Sequence, residues 1–318
     1  MNIYFAPLHG ITTYTYRNLF DQLFDGVDKY YAPFLSASTH DMFTKKEIKD
    51  LKSDNNALSK PLIPQLLGSE GELFIDAMKR LIDMGFDKEI NLNMGCPSGT
   101  VVSKNRGSGC FKNLFKLEQT LNEIYSWNDN REKSLDISIK TRIGLNEPEE
   151  WEEILEIYNK YPVSELIIHP RTRKQMYREV PNMDAFDYGY NNAKASVCYN
   201  GDIKTVEDYK KIAEKYDVDA VMLGRGLVGN PCLASAIKTG NNLDRDRLVE
   251  YHNKLYEAYR SEISTDKHLL CKMKEFWTYV GDNFEDEHKV KKLIRKTQKC
   301  YKYNEVANEI LENYALKV

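Results

Sequence analysis

The first 240 residues of the chain repeat one pattern, in which a short apolar segment is followed in most cases by an amphipathic helical segment. The apolar segments have the length and composition of buried strands, and nearly all end at glycine or polar residues. There are eight: 3–6, 31–36, 61–67, 90–94, 137–141, 166–168, 196–199 and 220–223. This alternation indicates the α/β class with a parallel sheet, and eight units within about 250 residues predict a (β/α)8 TIM barrel.

An open, doubly wound sheet is the alternative architecture for such a pattern. That fold commonly carries a GxGxxG fingerprint between its first strand and helix, and this chain has none there. The second segment is the weakest strand, because Pro33 cannot donate a ladder hydrogen bond. The polar run 40–59 that follows it is expected to hold one short helix at most.

The last part of the chain has helical patterns and no strand patterns. The expected helices are 243–261, 267–284, 288–303 and 306–314. We therefore predict a catalytic barrel domain at 1–240 and a small, all-helical domain at 241–318.

Composition limits the cellular context. No apolar run approaches the roughly 20 residues of a membrane span, and the first residues lack the basic and apolar regions of a signal peptide. The six cysteines form no CxxC pair, which argues against a zinc site or a disulfide framework. We expect a reduced, cytoplasmic protein without metal, membrane or obligate protein partner. Its net charge of −3 means that any attraction to nucleic acid must come from local patches.

The segment 91–109 has the strongest chemical character in the chain. Asparagines alternate with apolar residues up to Met94, the period of a strand, and Gly95-Cys96-Pro97 ends it abruptly. The Cys96 thiol is thus expected at the C-terminal edge of the sheet, three residues after Asn93. A free structural cysteine is the alternative interpretation.

Two glycine-containing loops follow the seventh and eighth predicted strands, where barrels often bind phosphate. They are Asn200-Gly201-Asp202 and Gly224-Arg225-Gly226. Glycines let backbone N–H groups approach an anion, and Arg225 adds a charged fork. Either loop alone would be typical of an ordinary turn, but the two together predict a phosphate site.

Three further polar residues stand near the ends of the third, fifth and sixth predicted strands: Gln65, Lys140 and His169. Each alone has an ordinary structural explanation, such as a capped strand, a snorkelling lysine or a packed neutral ring. Together, on one rim with a thiol and a phosphate site, they predict a pocket for a flat, polar cofactor. Lys140 would stabilise negative charge that develops on its ring.

Six strings, in this order and spacing, resemble the tRNA-dihydrouridine synthases. They are APLHGITTYTYRNLF, NLNMGCPSGTVVSKNRGSG, IKTRIGL, IIHPRT, YNGDI and VMLGRGLVGNP. The resemblance is close from residue 4 to about 235 and looser over the helical tail. It implies an FMN-containing (β/α)8 barrel with a helical C-terminal domain, which reduces uridine in tRNA to 5,6-dihydrouridine with NADPH.

The resemblance also implies roles for individual residues. Cys96 would protonate C5 of the uracil, Asn93 would touch the base, and Arg171 would lie close to the flavin or the target nucleotide. The flavin would be held by Pro7, Gln65, Lys140, His169, Asn200, Gly201, Asp202, Gly224 and Arg225. The chain departs from the family pattern at Leu8-His9 and Thr13, and Cys110 receives no function.

Uridine in folded tRNA is stacked, so the enzyme must extrude it and hold the RNA backbone. Lys104 and Arg106 are expected to face phosphates. The segment 288–304 contains seven Lys or Arg and no acid. It predicts a helix with a buried stripe of Val290, Leu293, Ile294 and Tyr301, and an outward basic cluster of Lys291, Lys292, Arg295 and Lys296. Tyr301 or Tyr303 would add stacking, and a merely solvated helix face is the alternative.

The chemistry agrees with these residues. Reduction of the uracil C5=C6 bond needs a hydride that only a cofactor can supply and a proton that a thiol can supply. Two rival functions stay open at this point. An FMN barrel acting on a free pyrimidine or an enone would need no basic tail, and a non-catalytic RNA-binding protein would bind no flavin.

Overall fold

The structure of the protein is a computed structural model that describes residues 1–38 and 42–317. Within these residues, ten short strands form one sheet in which every neighbouring pair is parallel. Their bounds are β1 Asn2–Phe5, β2 Lys29–Tyr31, β3 Leu35–Ser36, β4 Leu62–Ile63, β5 Gln65–Leu67, β6 Glu89–Met94, β7 Asp136–Arg142, β8 Glu165–His169, β9 Ser196–Tyr199 and β10 Ala220–Leu223.

Two of the barrel strands are each interrupted by a proline and appear as two short strands. Pro33 lies between β2 and β3, and Pro64 lies between β4 and β5, where the missing N–H breaks the ladder. β2 pairs with β4 and β3 pairs with β5, so 29–36 and 62–67 each act as one barrel strand. β10 pairs with β1, which pairs with β2. Counted in this way, eight parallel barrel strands form a closed ring, which confirms the predicted (β/α)8 barrel.

Ten α-helices accompany the barrel strands in the described residues up to 240. They are α1 Tyr14–Leu23, α2 Lys45–Leu51, α3 Gly71–Asp83, α4 Gly99–Val102, α5 Leu114–Asp129, α6 Glu150–Tyr158, α7 Met183–Asn192, α8 Val206–Lys215, α9 Arg225–Gly229 and α10 Leu233–Thr239. α2 is the short helix expected within 40–59, a segment whose first two residues lie outside the described chain. The sequence patterns did not predict α4, α7, α9 or α10. The buried residues of α7 are only Ala185, Phe186 and Gly189, too few for a clear apolar stripe.

The barrel interior has an apolar and a polar part. One cluster of buried side chains is mostly apolar and comprises Tyr4, Ala6, Tyr31, Ile63, Ile167, Cys198, Ala220 and Met222. On the other side, strand register sets Gln65, Asn91 and Ser138 next to one another across β5, β6 and β7. All three are fully buried.

Between residues 241 and 317, four α-helices follow the barrel: α11 Arg245–Glu262, α12 Asp266–Val280, α13 Glu287–Lys296 and α14 Cys300–Asn313. α11 packs on α1, and α12 packs on α9, so these helices contact the barrel next to the neighbouring strands β1 and β10. In the two described stretches of chain, no helix is both long and apolar enough to cross a membrane.

The prediction of one helix over 288–303 is wrong. α13 ends at Lys296, and α14 begins at Cys300. The Thr297 hydroxyl donates to the carbonyl of Ile294 at 2.7 Å, a local bond that competes with helix continuation. After this break Tyr301 is 69% exposed, so its predicted place in the buried stripe is also wrong, whereas Val290 and Ile294 are buried as predicted.

Candidate active site

The C-terminal ends of the barrel strands surround an open cleft. Most of the residues predicted for the site line it. They are Pro7, Asn93, Cys96, Lys140, His169, Asn200, Gly201, Asp202, Gly224 and Arg225. Further lining residues, absent from the predicted set, include Leu8, His9, Phe34, Arg142 and Tyr177. The His9 ring stacks on Phe34 with centroids 4.7 Å apart.

The turn that carries Cys96 is held from both sides. The Asn93 Oδ1 accepts hydrogen bonds from the backbone N–H groups of Gly95, at 3.1 Å, and Cys96, at 2.9 Å. The Cys96 carbonyl accepts from the N–H of Ser108 at 3.1 Å. A Cβ on Gly107, whose φ is +54°, would lie 2.8 Å from the Cβ of Cys96. The RGSG string therefore serves to let this loop pack on the cysteine.

The environment of Cys96 favours its protonated form. Burial raises the pKa of the thiol, and the opposing effects of a backbone hydrogen bond and of Arg142 and Lys140 do not cancel this rise. An ordinary thiol, with a pKa of about 8.5, is already mostly protonated at neutral pH. Cys96 can thus act as a proton donor.

Lys140 and His169 differ in charge at neutral pH. Burial, followed by the charge of Arg142, lowers the pKa of Lys140 to about 8, so most of it stays cationic at pH 7. Its Nζ donates to the Oδ1 of Asn200, whose Nδ2 donates in turn to the carbonyl of Met222 at 2.7 Å. Burial and the surrounding cations hold the pKa of His169 well below its ordinary value. His169 is therefore a neutral ring.

Asp202 is the carboxylate of this cleft, and two cations engage it. Arg171 pairs with it, and the Nη2 of Arg225 lies 2.6 Å from its Oδ1. Burial opposes its ionisation, but the hydrogen bond and charge of Arg171 and the charge of Arg225 lower the pKa of Asp202 overall. Lys140 and Arg142 also line the cleft, so positive charge exceeds negative charge there. This donor set fits an anionic ligand such as FMN.

Arg142 and Tyr177 are functional-site residues that sequence reasoning missed. The Arg142 guanidinium donates to the carbonyls of Gly95 at 3.1 Å, Thr172 at 2.9 Å and Met176 at 2.9 Å, which ties the Cys96 turn to the loop after β8. The Tyr177 ring lies 5.1 Å from Arg142 and 4.4 Å from the guanidinium of Arg225. Arg142 stands two positions after Lys140 on β7, which is a usable signal because alternate strand residues share a face. Tyr177 lies in a loop and had no such signal.

Gln65 and Arg171 are close to the cleft but do not line it. Gln65 is fully buried, and its Nε2 donates to the Oδ1 of Asn91 at 2.7 Å while its Oε1 accepts from the Nδ2 of Asn93 at 2.8 Å. Arg171 is 1% exposed. Its guanidinium contacts the Glu179 carbonyl, His169 and Asp202. Both residues are positioned to act on a ligand through their neighbours.

The basic residues predicted to hold RNA lie outside this cleft. Lys104 is exposed and Arg106 half-buried, in the loop between α4 and Gly107. Of the basic cluster, Lys291 pairs with Asp282. Within the described part of the chain the other three members form no ion pair, and all three are exposed.

A second groove lies along α12 and is lined mainly by residues of that helix and of the segment between α11 and α12. Lysines 272 and 274 line it. The first donates to the carbonyl of Gly10 in the loop after β1, and the second donates to the carbonyls of Arg295 and Thr297. These bonds tie α12 to the loop after β1 and to the end of α13.

Among the residues that the structure describes, no group of three or more His, Cys, Asp or Glu side chains is arranged to hold a metal ion. The fold and the cleft together define a closed (β/α)8 barrel with a positively charged ligand site at its C-terminal mouth. The family model for dihydrouridine synthase (Dus) matches residues 4–316. The chain belongs to the dihydrouridine synthase family.

Individual relatives agree with this assignment. A probable tRNA-dihydrouridine synthase of Staphylococcus epidermidis is 29% identical over 227 residues, which cover 69% of this chain and 67% of the relative. One of Staphylococcus aureus is 33% identical over 209 residues, covering 64% and 61%. The tRNA-dihydrouridine synthase B of Shewanella oneidensis is 28% identical over 267 residues and 80% of each chain.

Solved structures of distant sequence share the fold. Histamine dehydrogenase from Rhizobium sp. 4-9 matches with a TM-score of 0.58 at 12% identity, over 79% of this chain and 46% of that one. A mutant morphinone reductase in complex with tetrahydroNAD matches with a TM-score of 0.51 at 12% identity, over 77% and 89%. At such low identity these matches support the barrel architecture alone.

Proposed function

We propose that this protein is a flavin-dependent tRNA-uridine reductase that converts uridine in tRNA to 5,6-dihydrouridine. The observation that carries the proposal is the joint presence of a protonated thiol, Cys96, and a cation, Lys140, in one cleft at the barrel mouth of a dihydrouridine synthase family member. The names of the relatives, probable tRNA-dihydrouridine synthase and tRNA-dihydrouridine synthase B, support tRNA as the substrate.

The cofactor of the proposal is FMN. Bound FMN would supply the hydride for C6 of the uracil, and NADPH would reduce it again. The excess positive charge of the cleft supports an anionic cofactor, with Arg225 and the glycines at 201 and 224 on the phosphate side. The residues that would hold it are Pro7, Lys140, His169, Asn200, Gly201, Asp202, Gly224 and Arg225, with Gln65 behind them.

Cys96 is the proposed proton donor to C5 of the uracil. Its raised pKa keeps the proton on sulfur until the base takes it. The turn held by Asn93 and Ser108 fixes the backbone of the cysteine at the edge of the cleft. Asn93 lines the same cleft and is the proposed contact to the base.

Two basic side chains have distinct proposed tasks. Lys140, cationic at neutral pH, would stabilise negative charge on the isoalloxazine ring. His169 is neutral and would contribute hydrogen bonds without adding another positive charge. Arg171, through its contacts with His169 and Asp202, would keep both side chains in place next to the flavin and the nucleotide.

The proposed grip on tRNA lies around the mouth. Lys104, Arg106 and the basic cluster would contact phosphates. Exposed Tyr301 is available for stacking, whereas Tyr303 is fully buried and is not. In this proposal residues 1–240 bind the cofactor and 241–318 bind tRNA, in the cytoplasm and without an obligate protein partner.

The test has two parts. Purified protein should be yellow and should form dihydrouridine in tRNA when supplied with NADPH, as measured by mass spectrometry of digested tRNA. In cells that lack the protein, one or more tRNA positions should retain uridine. Activity on free uracil but none on tRNA would favour a free-pyrimidine reductase, and a colourless protein that takes up no flavin would favour a non-catalytic RNA-binding protein.

A further inference from the structure

A continuous line of side-chain hydrogen bonds runs through the polar part of the barrel interior. It begins near the N-terminal end of the barrel, where Lys29 pairs with Glu89 at 2.8 Å, and ends at the turn that carries Cys96. Its members, here named the orienting chain, are Glu89, Ser138, Asn91, Gln65 and Asn93. The successive distances are 3.0, 2.9, 2.7 and 2.8 Å.

Strand geometry explains why these side chains meet. Residues 89, 91 and 93 alternate along β6 with Ile90, Leu92 and Met94, so the two sets point to opposite faces of the sheet. Register pairs Gln65 with Asn91 and Asn91 with Ser138. The orienting chain thus spans about 13 Å along β6, because Glu89 and Asn93 are four residues apart at about 3.3 Å each. It runs from one end of the barrel to the other.

The Glu89 carboxylate, at the N-terminal end of the barrel, sets the donor-to-acceptor direction of every hydrogen bond in the orienting chain. Ionised Glu89 can only accept hydrogen bonds, so Ser138 gives it its single hydroxyl hydrogen. The Ser138 oxygen then accepts from the Nδ2 of Asn91, which leaves the Oδ1 of Asn91 for Gln65.

The same logic continues to the mouth of the barrel. Gln65 presents its Oε1 to the Nδ2 of Asn93, and this leaves the Oδ1 of Asn93 for the N–H groups of Gly95 and Cys96. A flipped Asn93 amide would set a donor against these two N–H donors and leave them unsatisfied, which is costly in a buried site.

We propose that the orienting chain positions the Cys96 thiol, because the direction imposed from Glu89 and the two N–H groups of the turn select the same orientation of the Asn93 amide and hold it in place. Gln65, Asn91, Ser138 and Glu89 are then positioning residues for proton transfer, although none of them lines the cleft. For Gln65 this role lies beyond the cofactor contact that its motif implies. The consequence for catalysis rests on the proposed function, whereas the consequence for the conformation of Cys96 does not.

The experiment uses the full-length protein and two interruptions of the chain. Ser138→Ala removes the hydroxyl link, and Glu89→Gln keeps the size of the side chain but lets an amide donate, so the direction is no longer imposed. Two rates are measured: alkylation of Cys96 by iodoacetamide without tRNA, followed by mass spectrometry, and single-turnover oxidation of the reduced flavin by tRNA.

Both variants should change the Cys96 alkylation rate and lower the single-turnover rate by about fivefold, the factor that corresponds to one net hydrogen bond. The affinity for tRNA and the rate of flavin reduction by NADPH should not change. Ser138→Thr, which restores a hydroxyl, should recover both rates. Ser235→Ala is the matched control, because Ser235 is a buried serine in α10 whose hydroxyl donates to the Cys232 carbonyl, away from the cleft.

Folded Ser138→Ala protein with wild-type alkylation and turnover rates would overturn the proposal. If Ser138→Ala does not fold, as judged by circular dichroism, the same two rates measured on Glu89→Gln test the proposal. This variant is expected to fold because Glu89 is partly exposed at the end of the orienting chain. If wild-type protein forms no dihydrouridine, the proposed function fails, and the alkylation rates alone decide whether the orienting chain positions Cys96.

Discussion

Replacement of Cys96 by alanine is the most direct test of the chemistry. The substitution removes the sulfur and little else, because the turn is held through the backbone N–H and carbonyl of residue 96. Both groups remain in Cys96→Ala. The packing of Gly107 against the Cβ of Cys96 also remains, since alanine keeps that atom. Any loss of activity can therefore be assigned to the thiol.

The expected loss follows from the state of that thiol. Even with an ordinary pKa of about 8.5, about 97% of the thiol would hold its proton at pH 7, and burial raises the pKa of Cys96 further. The wild-type protein is thus almost fully in the acid form. Positioned general acids contribute about 10²- to 10⁴-fold in rate, so Cys96→Ala should lower the rate of dihydrouridine formation by about that factor.

The assay follows oxidation of the reduced flavin by tRNA in a stopped-flow instrument, with dihydrouridine counted by mass spectrometry. Flavin content and flavin reduction by NADPH should equal those of wild type. Cys110→Ala is the control: this free cysteine lies in the segment that follows the turn, but it lines a different cavity. Dihydrouridine formation by Cys96→Ala at the wild-type rate would refute the role of the thiol.

Three further predictions concern the RNA grip, the pH profile and the turn. Replacing all four residues of the basic cluster with glutamine should weaken tRNA binding, and a plot of the logarithm of the binding constant against the logarithm of the salt concentration should become shallower by about 2 to 3, since one of the four is held by Asp282. Lys88→Gln, at the opposite end of the barrel, is the control. An unchanged slope would exclude this surface as a tRNA contact. The rate of uridine reduction at saturating tRNA should fall as pH rises through about 8, where Lys140 loses its charge. It should fall further as Cys96 loses its proton, because the protonated forms of both residues are the active ones. A rate that rises over this range would contradict the assigned roles of Lys140 and Cys96. Gly107→Ala should displace the turn that carries Cys96, because the new Cβ would lie 2.8 Å from the Cβ of Cys96 at a φ of +54°. It should lower the free energy of unfolding by about 1–3 kcal/mol, as measured by thermal unfolding, and should lower the rate of dihydrouridine formation in tRNA. Gly99→Ala, whose Cβ would meet open space, should change neither.

The success of sequence reasoning differs between elements for identifiable reasons. β6 and β10 were predicted almost to the residue, because alternation or a continuous apolar run is a local signal. The strands interrupted at Pro33 and Pro64 were predicted as single units, and the barrel does use each as one. The break at Thr297 was missed, because a side chain bonded to its own helix leaves no mark in an apolar pattern.

Site residues follow the same division. Residues at the ends of predicted strands, such as Cys96, Lys140 and Asn200, do line one cleft, because parallel strands bring their carboxyl ends to the same face. Tyr177 was missed because its loop folds back over the mouth and meets Arg142 and Arg225 there. Gln65 was assigned to the rim, but the register of β5 against β6 turns its amide toward two asparagines.

The order of residues along the chain was thus sufficient to determine the barrel, its helical continuation and the face on which the polar residues collect, since each depends on periodicity and on the one-sided geometry of parallel strands. Only the tertiary structure decided which of those polar groups face a ligand and which face each other. Hydrogen-bond direction, burial and the charges that shift the pKa values of Cys96, Lys140 and His169 all come from strands far apart in sequence. Such long-range contacts leave no local pattern in the chain.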